Sequence, residues 1–438
     1  MIKILIAENI PSLNKGEMAI YGGMLEIFKT LGDFKVAMFS NSAVVDRERY
    51  GDNVEIIDIS KSLYISSGTR GPFIKIIVSM WALIQHFIFL IIYKLLGQRV
   101  LSVFRQQIWR FYVDADLVII GHNGTFGIGG GLGAPLYLMP IYIPLMAKFM
   151  GKPVVIFGGS IPRPRRFKRI VSAIFRYVIN KIDLVTLRES KSFENLKELG
   201  ARTDHVYVLP DLAFLLPPAE FCRGEEILTE HGINREHGPL IGFTFTRQIA
   251  SHACSELDNP EEKYRYHAEM MAKVTDAIIE KLNATVLFIP HCIGIAIDLD
   301  DRLVGEDIFN LCKNKEKVKL ITEEYDPKEL KAIIGQCVLF IGERLHSVIG
   351  ALSMYVPSLV VSFASDQRLE IIKDVCDESF IYHVEKLDAQ SLLDKIKWLW
   401  INKEDISGQL KNKKGPIYEG AMKNGELLRQ VLSKYMEL

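Results

Sequence analysis

Arg344 and His346 lie two residues apart in Ile341-Gly-Glu-Arg-Leu-His-Ser-Val-Ile-Gly-Ala-Leu-Ser-Met-Tyr-Val-Pro357. A guanidinium that stays charged beside an imidazole that titrates near neutrality suits an anionic substrate that must exchange a proton. Further candidates stand at similar places. His291 lies in Ile289-Pro-His-Cys-Ile-Gly294, Arg188 in Leu187-Arg-Glu-Ser190, and Asn14, Gly16 and Glu17 in Glu8-Asn-Ile-Pro-Ser-Leu-Asn-Lys-Gly-Glu-Met-Ala-Ile20. Asn123 and Gly124 open the glycine-rich run His122–Gly133, where backbone can approach a ligand closely. Arg163 begins a basic run through Arg169, and no acid occurs between Ser160 and Ile182. Uniform positive sign after a strand favours phosphate or lipid headgroups over a merely solvated face. Each residue also has a structural reading: Arg344 paired with Glu343, Arg188 paired with Glu189, Asn14 and Gly16 making a turn, the histidines satisfied in the core.

These residues need strands to carry them. Val338–Ile341 is an apolar run that reads as a buried strand, Gly342 and Glu343 turn the chain, and Arg344–Met354 has helical period before Pro357. Other strand candidates in the first half are Lys3–Ala7, Lys35–Ser40, Val54–Ile57, Leu117–Gly121, Val154–Phe157, Leu184–Thr186 and Val206–Val208. In the second half they are Leu240–Phe245, Thr285–Ile289, Val318–Ile321, Ser358–Ser362 and Phe380–His383. Their alternation with helical stretches implies βαβ units and parallel sheets, with ligands gathered at the carboxyl ends of the strands. The expected fold is α/β with two parallel-sheet domains. The prolines of Leu215-Leu-Pro-Pro-Ala219 mark the boundary. Residues 1–216 form the first domain, with an insertion at about 59–113. Residues 217–388 form the second, and helices over 389–438 pack back on the first.

At 438 residues two domains are the natural prior. Fifty-three basic and 53 acidic side chains cancel, which argues against a nucleic-acid binder with a global basic field. Six scattered cysteines without a Cys-x-x-Cys pair suggest neither a disulfide framework nor a zinc site. The N-terminus reads as a first strand rather than a signal peptide, so a cytoplasmic protein is expected. One segment breaks the pattern. Phe73–Leu96 is strongly apolar, with Lys75, Ser79, His86 and Tyr93 in a stripe about 40° wide. Ile59–Val113 contains no Asp or Glu but seven Lys/Arg. That combination suits a helix lying in a membrane surface at the inner face, with a buried core or dimer helix and a true span as the alternatives.

No Gly-x-Gly-x-x-Gly follows the first strand and no Gly-Lys-Ser/Thr follows the glycine-rich run, so dinucleotide and nucleoside-triphosphate binding are disfavoured. Instead the ordered motifs resemble the polysaccharide pyruvyl transferase family. The Arg344-Leu-His-Ser segment with its small-residue helix and Pro is similar to that family's signature. So are Asn14-x-Gly-Glu-x-Ala-Ile, the glycine-rich run, Arg188-Glu-x-x-Ser followed by Leu-x-x-Leu-Gly200, Asp211-x-Ala-Phe and Pro290-His. The resemblance runs in register from residue 9 to about 375. It departs at Phe363-Ala-Ser-Asp-Gln-Arg368, where the family often carries a Tyr and a Lys.

The resemblance implies a glycosyltransferase-B-like fold, two Rossmann-like domains facing across a cleft. It also implies transfer of pyruvyl from phosphoenolpyruvate to two hydroxyls of a sugar as a ketal, in cell-surface or extracellular polysaccharide synthesis. Arg188 and Arg344 then hold the donor, with Leu345, Asn14, Gly16, Glu17, Asn123, Gly124 and Arg163 as further substrate contacts. His346 is the acid/base candidate and His291 the second. No metal or cofactor is required; Asp298, Asp300 and Asp301 precede a helix, where acids cap and complement the dipole. The expected acceptor is a sugar on a polyprenyl diphosphate, and a homo-oligomer is possible. The rival is a sugar-nucleotide-dependent glycosyltransferase, against which stands the lack of a Glu-x(7)-Glu pattern in the second half.

Overall fold

The computed structural model describes residues 1–59, 84–85, 87–102, 107–121, 139–162, 168–233, 238–294 and 296–436. Asn123, Gly124, Arg163 and half of the Phe73–Leu96 stretch, including Lys75, Ser79 and His86, lie outside them. The chain divides into two compact units. One comprises Met1–Ser12, Met24–Asp211 and Gly420–Leu438; the other comprises Leu13–Gly23 and Leu212–Glu419.

In the first unit the strands are β1 Ile2–Asn9, β2 Phe34–Ser40, β3 Val54–Asp58, β4 Leu117–Ile120, β5 Val154–Gly159, β6 Leu184–Leu187 and β7 Val206–Val208. In the second they are β8 Leu240–Thr244, β9 Thr285–Phe288, β10 Val318–Leu320, β11 Leu339–Gly342, β12 Ser358–Ser362 and β13 Ile381–His383. Every pairing is parallel. The spatial orders are β3-β2-β1-β4-β5-β6-β7 and β10-β9-β8-β11-β12-β13. Each sheet therefore reverses direction once, between β1 and β4 and between β8 and β11, and ligands gather at the carboxyl side of such switch points. Strands such as β4, β5 and β8 are buried at every residue, as parallel sheets covered on both faces require.

In the first unit one core cluster joins sheet residues Val118, Ile120, Ile156 and Leu187 to Trp109, Met146 and Phe175 from covering helices. Phe89, from helical residues 87–96, stacks on Trp109 with ring centroids 3.9 Å apart. Tyr93 packs on this core too. Tyr93 is the one residue of the polar stripe that is described, and it faces this core. Among the described residues no helix is long and apolar enough to cross a membrane.

Two boundaries differ from the sequence reading. Leu13–Gly23 groups with the second unit, because Asn14 bridges to Cys292 and the Ile293 amide donates to Leu13 O at 3.0 Å. Of the C-terminal helices Ala389–Ile401 and Lys403–Tyr435, only the part from Gly420 onward belongs to the first unit.

Candidate active site

The second unit's switch point carries a dense polar constellation. β11 ends at Gly342, and the Glu343 amide donates to Thr244 O at 2.9 Å, holding the exits of β8 and β11 together. Arg344 keeps extended backbone (φ −96°, ψ 115°) at the N-cap of helix Leu345–Ser353. Glu343 turns inward and is buried. Its carboxylate meets His267 Nε2 at 2.5 Å and accepts from the Thr246 amide at 2.7 Å. Arg344 turns the other way, and its ion-pair partner is Asp301, not the neighbouring Glu343. Nη2 and Nε donate to Asp301 Oδ1 at 2.7 and 3.1 Å, and Nη1 donates to Gln248 Oε1 at 3.0 Å. The Arg344 side chain remains 16% exposed. Leu345, expected as a substrate contact, is buried.

Asp301 ties these parts to His291. Its Oδ2 accepts from the amides of His291 and Cys292 at 3.1 and 2.8 Å. The three acids read as helix-capping therefore separate in role. Asp300 caps helix Asp301–Leu311 through the Arg302 amide, Asp298 pairs with Arg247, and Asp301 is the hub.

The N-terminal motif completes the group. The Lys15 amide donates to His291 O at 2.8 Å, and Lys15 Nζ pairs with Glu324. Asn14 and Glu17 bond each other: Asn14 Oδ1 accepts from the Glu17 amide at 3.3 Å, and Nδ2 donates to Glu17 Oε1 at 3.0 Å. Gly16 lies against the His346 ring. A Cβ there would come within 2.7 Å of His346 Cβ and 2.8 Å of Nδ1. Gly16→Ala is therefore expected to displace His346 at a cost of about 1–3 kcal/mol. Thermal melting together with steady-state rates checks this. If the Ala variant keeps both stability and turnover, the contact is not tight.

His291 is buried, and its Nδ1 has no hydrogen-bond partner among the described residues. Burial, then the nearby charges of Arg344 and His346, push its pKa down to about 3. The neutral imidazole is thus the favoured form at physiological pH, which disfavours a proton-donor role and suits a hydrogen-bonding one. Burial pushes the Asp301 carboxyl up, opposed chiefly by the Arg344 guanidinium. At the departure segment, Phe363 stacks on His252 at 4.3 Å and Arg368 pairs with Asp366 at 2.8 Å.

In the first unit Arg188 leaves β6 and enters a buried polar network. Nε donates to Ser160 Oγ at 2.8 Å and Nη1 to Asp211 Oδ2 at 3.0 Å, with Glu189 at 3.8 Å. Its side chain is 1% exposed, so contact with a donor molecule would require these pairs to open. Ser190 is not a cap; it is the first helical residue, and Glu189 holds the N-cap position of helix Ser190–Glu198. Removing one partner of a buried pair costs about 3–5 kcal/mol. Arg188→Ala is thus expected to lower the thermal midpoint clearly. A variant that melts like the parent but no longer binds phosphoenolpyruvate would return Arg188 to the donor site.

Sequence reasoning brought Asn14, Gly16, Glu17, His291, Arg344 and His346 forward, and the second unit gathers them. It missed Lys15, Gln248 and His267, and it misread Asp301. The available signal was Thr246-Arg-Gln248 directly after a strand, but its importance depends on β8 lying beside β11.

Two parallel sheets, one in the order 3-2-1-4-5-6 and the other the same with a seventh strand added, make a GT-B-like fold. UDP-GlcNAc 2-epimerase from Neisseria meningitidis, bound to UDP-GlcNAc, is similar over 99% of this chain and 100% of its own, with a TM-score of 0.55 at 14% identity. Anabaena Alr3699/HepE in complex with UDP is similar over the same shares, with a TM-score of 0.57 at 10% identity. Residues 14–365 match the polysaccharide pyruvyl transferase model, and the chain belongs to that family. A curated relative is the amylovoran biosynthesis protein AmsJ of Erwinia amylovora. It is 26% identical over 295 residues, which is 66% of this chain and 68% of AmsJ.

Proposed function

We propose that this protein transfers pyruvyl from phosphoenolpyruvate to two hydroxyls of one sugar, forming a ketal during synthesis of an exopolysaccharide. The observation that carries the reading is Arg344 beside His346 at the carboxyl end of β11, in a chain of the pyruvyl transferase family. Both AmsJ's role in amylovoran synthesis and the family description agree with it. The donor carries a phosphate and a carboxylate, which suit the exposed part of the Arg344 fork. Protonation of the methylene carbon makes C2 electrophilic. A first sugar hydroxyl adds there, the C2–O bond to phosphate breaks, and a second hydroxyl closes the ketal. Two hydroxyl protons are released overall: one replaces the proton given to the new methyl group, and the other leaves with phosphate. His346 is the group assigned to this exchange, since His291 stays neutral. Nothing in the scheme calls for a metal.

A polyprenyl-diphosphate-linked sugar is the proposed acceptor, because the basic Arg163–Arg169 run offers partners for a diphosphate. The test measures phosphate released from labelled phosphoenolpyruvate with lipid-linked and nucleotide-linked sugars. A labelled sugar nucleotide is run in parallel, since HepE binds UDP. Transfer of the sugar with no phosphate release from phosphoenolpyruvate would replace this reading with a glycosyltransferase.

A further inference from the structure

The first unit has a helical layer over one face of its sheet, and the outer side of that layer has an unusual composition. Helical residues 87–96 turn Phe89 and Tyr93 into the core. Opposite Tyr93, within an arc of about 100°, lie Ile84, Phe87, Ile88, Ile91 and Leu95. All five are exposed, Phe87 by 66% and Leu95 by 77%. A surface helix of a soluble protein has the reverse arrangement. The apolar surface extends to a second helix. Phe149, at the end of helix Met139–Phe149, is exposed, with Lys94 Nζ 4.8 Å from its ring centroid. A third helix, Lys168–Ile179, exposes Ile174 and Tyr177, the latter under Lys181 Nζ.

Charge singles out one partner for this surface. Residues 59–182 contain sixteen Lys/Arg and only two acids, Asp114 and Asp116, in a chain whose total charge is zero. A second copy would bring the same strongly basic segment and be repelled. An anionic bilayer is attracted, and it accepts the apolar arc below its headgroups.

We propose that this helical layer of the first unit docks on anionic phospholipid bilayers. The docking surface spans three helices rather than the Phe73–Leu96 segment alone, and it does not depend on the pyruvyl chemistry. The full-length protein is floated with vesicles of phosphatidylglycerol mixed with phosphatidylcholine, and with phosphatidylcholine alone. Partition is expected to be at least about tenfold stronger on the mixed vesicles and to weaken with salt. The triple variant Phe87→Ser, Ile91→Ser, Leu95→Ser should bind about a hundredfold less. Its thermal midpoint should not fall, because these side chains are exposed. Lys94→Gln with Lys181→Gln should cost about fivefold per charge. Equal partition on both vesicle types overturns the proposal. So does a triple variant that floats like the parent, or a parent dimer that the triple variant dissolves while vesicle binding stays absent.

Discussion

Arg344→Lys should lower kcat/KM for phosphoenolpyruvate by about 10²–10³-fold, the usual cost of losing one preorganised donor to developing negative charge. Positive charge is retained in this variant, so geometry must account for the loss. Arg344 spends Nε and Nη2 on Asp301 and Nη1 on Gln248, with part of its edge still exposed. A lysine ammonium is a single point with no planar fork, so it cannot hold Asp301 and face a bidentate anion together. Asp301, already pushed up by burial, then loses its principal compensation and takes up a proton more readily. The His291 and Cys292 amides it organises should loosen as a consequence. Asp301→Asn is expected to reproduce much of the defect with Arg344 intact, because a neutral amide holds the guanidinium weakly. Steady-state kinetics on both variants, with melting curves to exclude unfolding, decide the matter. Wild-type efficiency in Arg344→Lys would make the residue purely structural.

For His346→Gln the expected loss falls on turnover, by about 10²–10⁴-fold, with donor binding changed much less. Glutamine keeps hydrogen-bonding capacity and approximate size against Gly16 but cannot exchange a proton. The pH–rate profile should therefore change shape. His291 supplies a control. With its pKa held near 3 it does not titrate between pH 5 and 8, so His291→Gln should leave the profile's shape alone even if the rate drops. A still-active His346→Gln enzyme with the parent profile would remove His346 from the acid/base role.

The strands were legible because buried parallel strands are near-continuous Val, Ile, Leu and Phe runs bounded by helical periods. Residues 339–341 and 345–353 fall inside the stretches that pattern assigned to strand and helix, while Gly342, read as part of the turn, is the last strand residue. Arg344 and His346 were placed at a strand exit for the same reason. Capping was less secure: Ser190 reads as an N-cap from its type alone, but the chain turns one residue earlier, at Glu189.

Side-chain partners followed a different rule. Sequence proximity suggests Glu343 for Arg344 and Glu189 for Arg188. In the folded chain the two side chains find different partners, Glu343 meeting His267 and Arg344 meeting Asp301. Arg188 is closer to Asp211 than to its neighbour. Gly16 meets His346 across more than three hundred residues. Local propensity and hydrophobic period act over a few residues, and they determined the α/β elements, the parallel sheets and the ends at which reactive side chains emerge. Which exits become neighbours depends on strand order, here β9-β8-β11 in the second unit, and on Leu13–Gly23 joining that unit. Those are long-range packing outcomes. Only the tertiary structure could therefore turn Asp301 from a helix-end acid into the partner of Arg344, and place the apolar arc of residues 84–95 on the outside.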